Sequence, residues 1–377
     1  MIRYGIVGIG KQGSIYARFL KDNLVDGAIL TAVCDIDEER KKWAKENLRD
    51  VEIFEDYMDM FKSGLIDVAV INTPHYAHPS IAIDALKSGL HVLSDKPAGV
   101  FTIGVKKILE EKEKHPDLSY ALIWNQRTNP LYQKAKVIID KGLLGKTTRI
   151  VWIITDWYRS NAYYSQGGWR GTWSGEGGGV LLNQAPHQLD LFTWFMGVPK
   201  TVYASCKTIG RQISVENDVT AMMEFENGAS GVFITSTHDA PGTNRLEITG
   251  EGGKIVIENG KLTFTHNLIS EPEFNKTNRE FWGVPKTEVL EYSDSLEPIK
   301  GYEGNTQHIM IFRNHVNYLL GKEDKLIADG SQGLNALILS NAIYLSEWTG
   351  KKIEVPFDER QFLELLVEHM DKEKIEE

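Results

Sequence analysis

The chain has 377 residues, 42% of them apolar and 25% charged, with a formal net charge of −10. That length exceeds one ordinary core and points to two domains of a globular chain. The negative balance argues against nucleic acid and anionic membrane surfaces as partners, and no apolar run approaches a membrane span.

In chain order, Ile2 to Val7 is a short apolar strand that runs straight into Gly8-Ile9-Gly10-Lys11-Gln12-Gly13. A helical pattern follows, with Ile15, Phe19 and Leu20 on one side. Strand, G-x-G-x-x-G turn and helix in that order make a dinucleotide site. Gly8 serves the tight turn, Gly10 a close approach to the pyrophosphate, and Gly13 helix–strand packing. The helix N-terminus offers free N–H groups and a positive dipole end, which brings Lys11 and Gln12 into the cofactor-binding set. A second strand, Ile29 to Cys34, ends at Asp35. An acidic residue there holds the ribose hydroxyls of NAD and repels the 2′-phosphate of NADP. NAD is therefore expected ahead of NADP, although Arg40 and Lys41 lie downstream where a phosphate could be reached. Asp35 also reads as a cap of the next helix.

Val68 to Asn72 is a continuous apolar strand, as in a parallel sheet covered on both faces. It ends in Thr73-Pro74-His75-Tyr76-Ala77-His78. A helix follows, then the strand His91 to Leu93, which ends in Ser94-Asp95-Lys96-Pro97. Ligands of open α/β sheets sit beyond the carboxyl ends of the strands. Thr73, Pro74, His75, Asp95 and Lys96 therefore join the cofactor candidates. His75 and His78 read equally as loop or cap residues. Lys96 also reads as a solvated lysine, but an apolar strand before it and a rigid proline after it favour the ligand side.

The dinucleotide-binding domain is expected to end near Trp124, giving domains 1–124 and 125–377. A helix at Leu131 to Asp140 opens the second. Strand-like runs follow at Arg149–Thr155, Val202–Thr208, Val219–Phe225, Gly231–Ser236, Leu246–Thr249 and Lys254–Glu258. Asn-Gly and Gly-Gly turns join several of them, which predicts hairpins and an α+β domain built on an antiparallel sheet.

The segment from Asp156 to Trp173 is dense in aromatics, arginines and amides, a composition suited to the apolar faces and hydroxyl rims of sugars. Tyr163, Trp169 and Arg170 are expected to line a substrate cleft; a core or a subunit contact is the alternative. Tyr158 and Trp173 read either way. Next comes GGGVLLNQAPHQLD, residues 177–190, with Asn183, His187 and Asp190 at helical spacing. Pro186 suits a first helical turn, which puts Asn183 on the approach to the helix. The glycines are expected to let backbone pass close to the cofactor. Cys34 and Cys206 fall in strand-like runs and read as buried thiols in a reducing compartment. No metal is expected, since no cluster with metal-ligand spacing stands out. The opening strand leaves no basic-then-apolar leader, so a cytoplasmic location is expected. The acidic end, Glu368 to Glu377, reads as a solvated helix terminus.

These motifs together resemble the glucose–fructose oxidoreductase / inositol dehydrogenase family, Gfo/Idh/MocA. The resemblance covers nearly the whole chain. It rests on GIVGIGKQGS, NTPHYAHPSIAIDALKSGLHVLSDKP, GGGVLLNQAPHQLDLFTW and ADGSQGLNALILSNAIYLSEWTGKKIEVP. It implies an N-terminal Rossmann domain, a doubly wound parallel sheet, followed by an α+β domain with a large, mostly antiparallel open sheet. It implies a dehydrogenase that uses NAD, less readily NADP, on a secondary alcohol of a sugar or cyclitol, assembled as a homodimer or homotetramer.

By the family's E-K-P motif, Lys96 lies beside the nicotinamide. By its D-x-x-x-H motif, His187 is the acid/base. Trp169-Arg170 looks like the family's Trp-Arg pair near the active site, which adds Trp169 and Arg170 to the expected cofactor-binding set. The resemblance thus implies a catalytic set of Lys96, His187 and Asn183 and a substrate set of Lys96, Tyr163, Arg170, Asn183 and His187. His187 removes the hydroxyl proton and Lys96 stabilises the developing alkoxide. Two positions depart from the pattern. Asp95 replaces the common Glu, and Asn183 stands where many members carry Asp. An amide hydrogen-bonds a hydroxyl but relays no proton; on this basis Asn183→Asp leaves turnover largely intact. An NADP-linked or tightly bound-NAD glycoside or keto-sugar oxidoreductase is the alternative. A non-catalytic dinucleotide-bound regulator is another, and it would need neither Lys96 nor His187.

Overall fold

The computed structural model describes residues 1–166 and 168–376, with side chains as far as Lys374. Its elements alternate at first: β1 (Ile2–Val7), α1 (Lys11–Lys21), β2 (Ala28–Cys34), α2 (Glu38–Asn47), β3 (Glu52–Phe54), α3 (Tyr57–Lys62), β4 (Val68–Ile71), α4 (His78–Lys87), β5 (His91–Ser94), α5 (Thr102–Glu113) and β6 (Tyr120–Leu122). All six strands are parallel, in the order β3-β2-β1-β4-β5-β6. The order reverses between β1 and β4, which sets a crevice at their carboxyl ends. Every residue of β4 is buried, as its unbroken apolar run requires. Asp37 caps α2, accepting from the N–H groups of Glu39 and Arg40. The N-cap of α1 is Gly10, with no side-chain cap.

Then come α6 (Pro130–Asp140), β7 (Thr147–Ile154), α7 (Asn161–Tyr164), α8 (Pro186–Met196), β8 (Thr201–Lys207), β9 (Asp218–Glu224), β10 (Ser230–Ser236), β11 (Asn244–Gly250), β12 (Gly253–Glu258), β13 (Lys261–Asn267), α9 (Glu271–Thr277) and β14 (Thr287–Ser293). The chain ends with α10 (Thr306–Leu319), α11 (Gly333–Thr349), β15 (Ile353–Glu354) and α12 (Glu359–Glu376). The second sheet has nine strands, β14-β13-β12-β11-β7-β10-β9-β8-β15. Among the described residues of this sheet, only β7 and β10 pair in parallel. The turn between β12 and β13 is Asn259-Gly260, both at positive φ (51° and 69°), the hairpin geometry that this dipeptide favours.

Two units result, Met1–Thr128 with Glu297–Leu337, and Asn129–Leu296 with Ile338–Glu377. The return of residues 297–337 to the first unit is a feature that a single boundary after Trp124 does not carry. Its cause is aromatic packing. Phe312 of α10 lies 4.8 Å from Phe19 and 5.3 Å from Tyr16, ring centre to ring centre. The Tyr4 hydroxyl is 2.8 Å from His315 Nδ1.

Both cysteines are free; Cys34 is buried and Cys206 only half-buried. Among the described residues, no helix is long and apolar enough to cross a membrane.

Candidate functional site

In the first unit the glycine turn closes on itself. Gly8 has φ +89°, and a Cβ on it would lie 2.4 Å from the Asn72 carbonyl oxygen. A Cβ on Gly13 would lie 2.0 Å from the carbonyl oxygen of Gly8. Gly10 differs: a Cβ there would meet nothing within 4 Å. Its backbone faces open space at the uncapped start of α1, with the room and polarity that a pyrophosphate needs. Lys11 beside it is exposed, and Gln12 Nε2 donates to Asn305 Oδ1 at 3.1 Å.

Asp35 turns toward this loop. Its Oδ2 accepts from the Ile9 N–H at 2.8 Å and its Oδ1 from the Asp37 N–H at 3.0 Å. The cap of α2 is Asp37, so Asp35 does not have that task. Lys41 is held by Glu38 and Glu55 at 2.7 and 2.6 Å, which occupies its ammonium and removes it as a partner for a 2′-phosphate.

At the end of β5, Asp95 is a buried hub. It accepts from the Tyr16 hydroxyl at 3.2 Å and from the Lys96 N–H at 2.8 Å. Asn72, with its amide oriented as its neighbours require, donates to Asp95 Oδ2 at 2.8 Å and accepts from the Gly13 N–H at 2.5 Å. Asp95 and Asn72 thus tie the Lys96 turn to the glycine turn. His78 is a second tie: its ring nitrogens stand 2.8 Å from the Pro97 carbonyl oxygen and 2.7 Å from that of Thr73. Burial holds its imidazole below the ordinary range. His75 is also buried, in the short turn after Pro74. Thr73 Oγ1 is buried without a hydrogen-bond partner, at the strand end where a dinucleotide would lie.

In the second unit, crowding at the glycines comes from protein groups. A Cβ on Gly179 would sit 1.8 Å from the Glu216 carbonyl oxygen, and one on Gly178 would sit 2.2 Å from the Tyr344 hydroxyl. Packing inside this unit therefore demands these glycines, where the sequence suggested room for a cofactor. Glu216 is buried and fastens the turn. It accepts from the Gly179 N–H (2.9 Å), the Leu181 N–H (3.0 Å) and the Tyr344 hydroxyl (2.8 Å). Burial pushes its carboxyl up to about 7, while those donors pull the other way.

Pro186 is the first residue of α8 and His187 the second. Asn183 lies in the preceding turn, its N–H donating to the Gly179 carbonyl at 3.0 Å. Asp190 is in the helix and 1% exposed. The Asn183 amide Nδ2 donates to Oε1 of the buried Glu176. Glu176 Oε2 accepts from the Gly171 N–H at 2.8 Å, and Arg170 Nη1 stands 3.9 Å from Oε1. Arg170 Nη1 also donates to the Tyr163 hydroxyl at 2.9 Å. The guanidinium lies 4.9 Å from the Tyr163 ring centre and 4.5 Å from that of Trp169. Gln184 Nε2 reaches the Tyr163 hydroxyl at 3.2 Å. One network therefore gathers Tyr163, Trp169, Arg170 and Asn183. Glu176 and Gln184 complete it, and the sequence did not single them out.

Trp173 belongs to the core. It is 5% exposed, packs on Tyr344 and Trp348, and donates from Nε1 to the Ser214 carbonyl at 2.9 Å. Tyr158 is 51% exposed. The acidic end is not wholly solvated, because Glu373 is buried. It accepts from the N–H groups of Trp173 (2.7 Å) and Ser174 (3.0 Å) and from the Ser174 hydroxyl (2.6 Å). Burial raises its carboxyl, but the donors on Ser174 and Trp173 outweigh that and hold it below the usual range. Among the described residues, Asp218, His238 and Asp239 are near enough to share a metal ion. His238 Nε2 is 3.0 Å from Asp218 and Nδ1 is 3.6 Å from Asp239.

The family model described as "Oxidoreductase family, NAD-binding Rossmann fold" matches residues 2–120, and that described as "GFO/IDH/MocA C-terminal domain" matches residues 132–256. Myo-inositol 2-dehydrogenase of Thermotoga maritima is 25% identical over 313 residues, 81% of this chain and 88% of that protein. The scyllo-inositol 2-dehydrogenase (NAD(+)) of Bacillus subtilis is 25% identical over 71% of this chain and 76% of its own. Among solved structures, the WlbA dehydrogenase of Bordetella pertussis, in complex with NADH and UDP-GlcNAcA, superposes with a TM-score of 0.76 at 26% identity. The match covers 95% of this chain and 99% of that one. The chain belongs to the GFO/IDH/MocA oxidoreductase family, with an NAD-binding Rossmann fold as its N-terminal part.

Proposed function

We propose that this protein oxidises one ring CH–OH group of a sugar or cyclitol to a ketone with NAD⁺, or reduces that ketone with NADH, and that His187, Lys96 and Asn183 are its catalytic residues. The observation that carries this is the network Tyr163–Arg170–Glu176–Asn183, whose last member lies four residues before His187 in the first turn of α8. Aromatic faces, a guanidinium and an oriented amide are what a ring of C–H faces and hydroxyl rims requires. Inositol dehydrogenases among the relatives point to the same chemistry.

Bound NAD supplies the hydride acceptor or donor; the protein positions and polarises. The Gly8–Gly13 turn and the start of α1 hold the pyrophosphate, and Asp35 holds the ribose hydroxyls. Thr73, Pro74, His75 and Asp95 line the remaining strand ends. His187, as a neutral imidazole, takes the hydroxyl proton. Lys96, as an ammonium, stabilises negative charge on oxygen. Asn183, fixed by Glu176, orients a hydroxyl with an amide held one way round.

The same proposal has the protein working in the cytoplasm, where free Cys34 and Cys206 suit reducing conditions, as a homodimer or homotetramer. Half-exposed Tyr203 and Met222, opposite one another on β8 and β9, support a subunit contact. The test of the activity is NADH formation from NAD⁺ with a panel of cyclitols, hexoses, uronates and glycosides. Formation with any member supports it. Silence across the panel with NAD⁺ binding intact counts against it.

A further inference from the structure

Among the described residues of the second unit, the N–H donors Trp157 Nε1, Arg159 Nε and Arg211 Nη2 are buried without an acceptor. Folded chains leave few such groups, because each has lost water and gained nothing. These three belong to one neighbourhood, the segment before α7 and the loop after β8. The neighbourhood is fastened by other atoms of the same side chains. Arg159 donates its backbone N–H to the Thr237 carbonyl at 2.8 Å and its Nη1 to the Tyr158 carbonyl at 3.0 Å. Arg211 donates from Nε to the Arg159 carbonyl at 2.6 Å and from Nη1 to the Gly210 carbonyl at 2.7 Å. The Arg159 guanidinium lies 5.0 Å from the Tyr163 ring centre, and that of Arg211 lies 5.1 Å from the Tyr158 ring centre. Tyr163 therefore has a guanidinium near it from Arg159 and another, at 4.9 Å, from Arg170.

The charges of Arg159 and Arg211 meet no carboxylate among the described residues. Glu176 is committed to Arg170, Asn183 and Gly171. Asp218 and Asp239 are committed to His238. Two fixed guanidiniums and an indole N–H, all donors and none neutralised, match a ligand that offers only acceptors and a negative charge. In a chain of net charge −10, such a site is a local reversal of sign.

We propose that Trp157, Arg159 and Arg211 form an oxyanion subsite beside Tyr163, so that the sugar this protein takes carries a carboxylate or a phosphoryl group. This rests on the reading of Tyr163, Arg170 and Asn183 as sugar-binding residues, but not on hydride transfer.

The experiment is equilibrium binding to the NADH-loaded protein at low salt, with D-glucose, D-galactose and N-acetylglucosamine, their uronates and their 6-phosphates. At least one acid binds about tenfold or more tightly than its neutral parent, and the preference shrinks with added salt. Preference for uronates identifies a carboxylate; preference for phosphates identifies a phosphoryl group. Arg159→Gln and Arg211→Gln each abolish the preference while NADH affinity stays. The comparison of acids with neutral sugars on the parent protein stands even if a variant fails to fold. Acids that bind no more tightly than neutral sugars, or that displace NADH, overturn the subsite. Acid-selective binding without NADH formation sustains the subsite and counts against the proposed activity. NADH formation with neutral sugars alone does the reverse.

Discussion

Asn183 donates its side-chain amide to the buried carboxylate of Glu176. The resemblance places Asp at this position in many members, and nothing local in the sequence gives a reason for Asp to harm this chain. The contact supplies one. Asn183→Asp sets a second carboxylate against Glu176, and two carboxylates in one buried site share a proton. Turnover at pH 7 is expected to fall about tenfold or more, equivalent to ~1.4 kcal/mol of barrier. The double change Asn183→Asp with Glu176→Gln is expected to recover most of it. Steady-state rates of the parent, the Asn183→Asp variant and the double variant check this; an undiminished Asn183→Asp protein would mean that the contact has no bearing on catalysis.

Glu216 predicts a pH effect on stability. Its carboxyl sits at about 7 in the folded chain because burial disfavours the charge. In an unfolded chain it would sit near 4.3, about the ordinary value for Glu. Between those values the folded chain keeps a proton that the unfolded chain has lost. Stability therefore falls as pH rises from about 4 to 7 and levels off above, by about 4 kcal/mol in all. Glu216→Gln cannot ionise and should remove that slope. Urea unfolding of both proteins across this range measures it, and equal slopes would contradict the assignment.

Glu373 predicts that the last turns of α12 stabilise the Trp173–Ser174 turn. Glu373→Ala leaves the Trp173 and Ser174 N–H groups without their acceptor and should cost about 1–3 kcal/mol. Exposed Glu368, on the same helix, is the control, and its change to Ala should stay within about 0.5 kcal/mol. Urea midpoints decide; equal effects would mean that Glu373 holds nothing.

The glycines of the dinucleotide turn predict two different failures. Gly13→Ala forces a Cβ against the Gly8 carbonyl and should cost more than about 2 kcal/mol of stability. Gly10→Ala has room and an ordinary φ of −61°, so folding should be unharmed. What it takes away is the approach of the pyrophosphate, and NAD affinity should drop about tenfold or more. Thermal melts and NAD titrations separate the two. Unweakened NAD binding by a folded Gly10→Ala protein would place the pyrophosphate elsewhere.

What could be read from the sequence was what is local. The glycine turn, Asp35 at the end of β2, Lys96 after β5 and Pro186 at the start of α8 are fixed by neighbours a few residues away. Residues whose roles depend on distant partners were not legible. Glu216 meets Gly179 across 37 positions, and Glu373 meets Trp173 across 200. Asn72 read only as the last residue of an apolar strand, and its link between Asp95 and Gly13 needs the sheet to form. Likewise nothing near Phe312 in the sequence shows that Phe19 is what it covers. Glu176 lies seven positions before Asn183, close enough to notice, yet the three intervening glycines give no periodicity that would aim one side chain at the other.

The role proposed for His187, handling the proton of a substrate hydroxyl, is tested most directly by comparing NADH formation by the parent and by His187→Ala on whichever panel member reacts fastest, with NAD⁺ affinity measured on the same samples. The expected result is a loss of about 10²–10⁴ in rate with NAD⁺ affinity unchanged. A His187→Ala protein that keeps the parent's rate would contradict it.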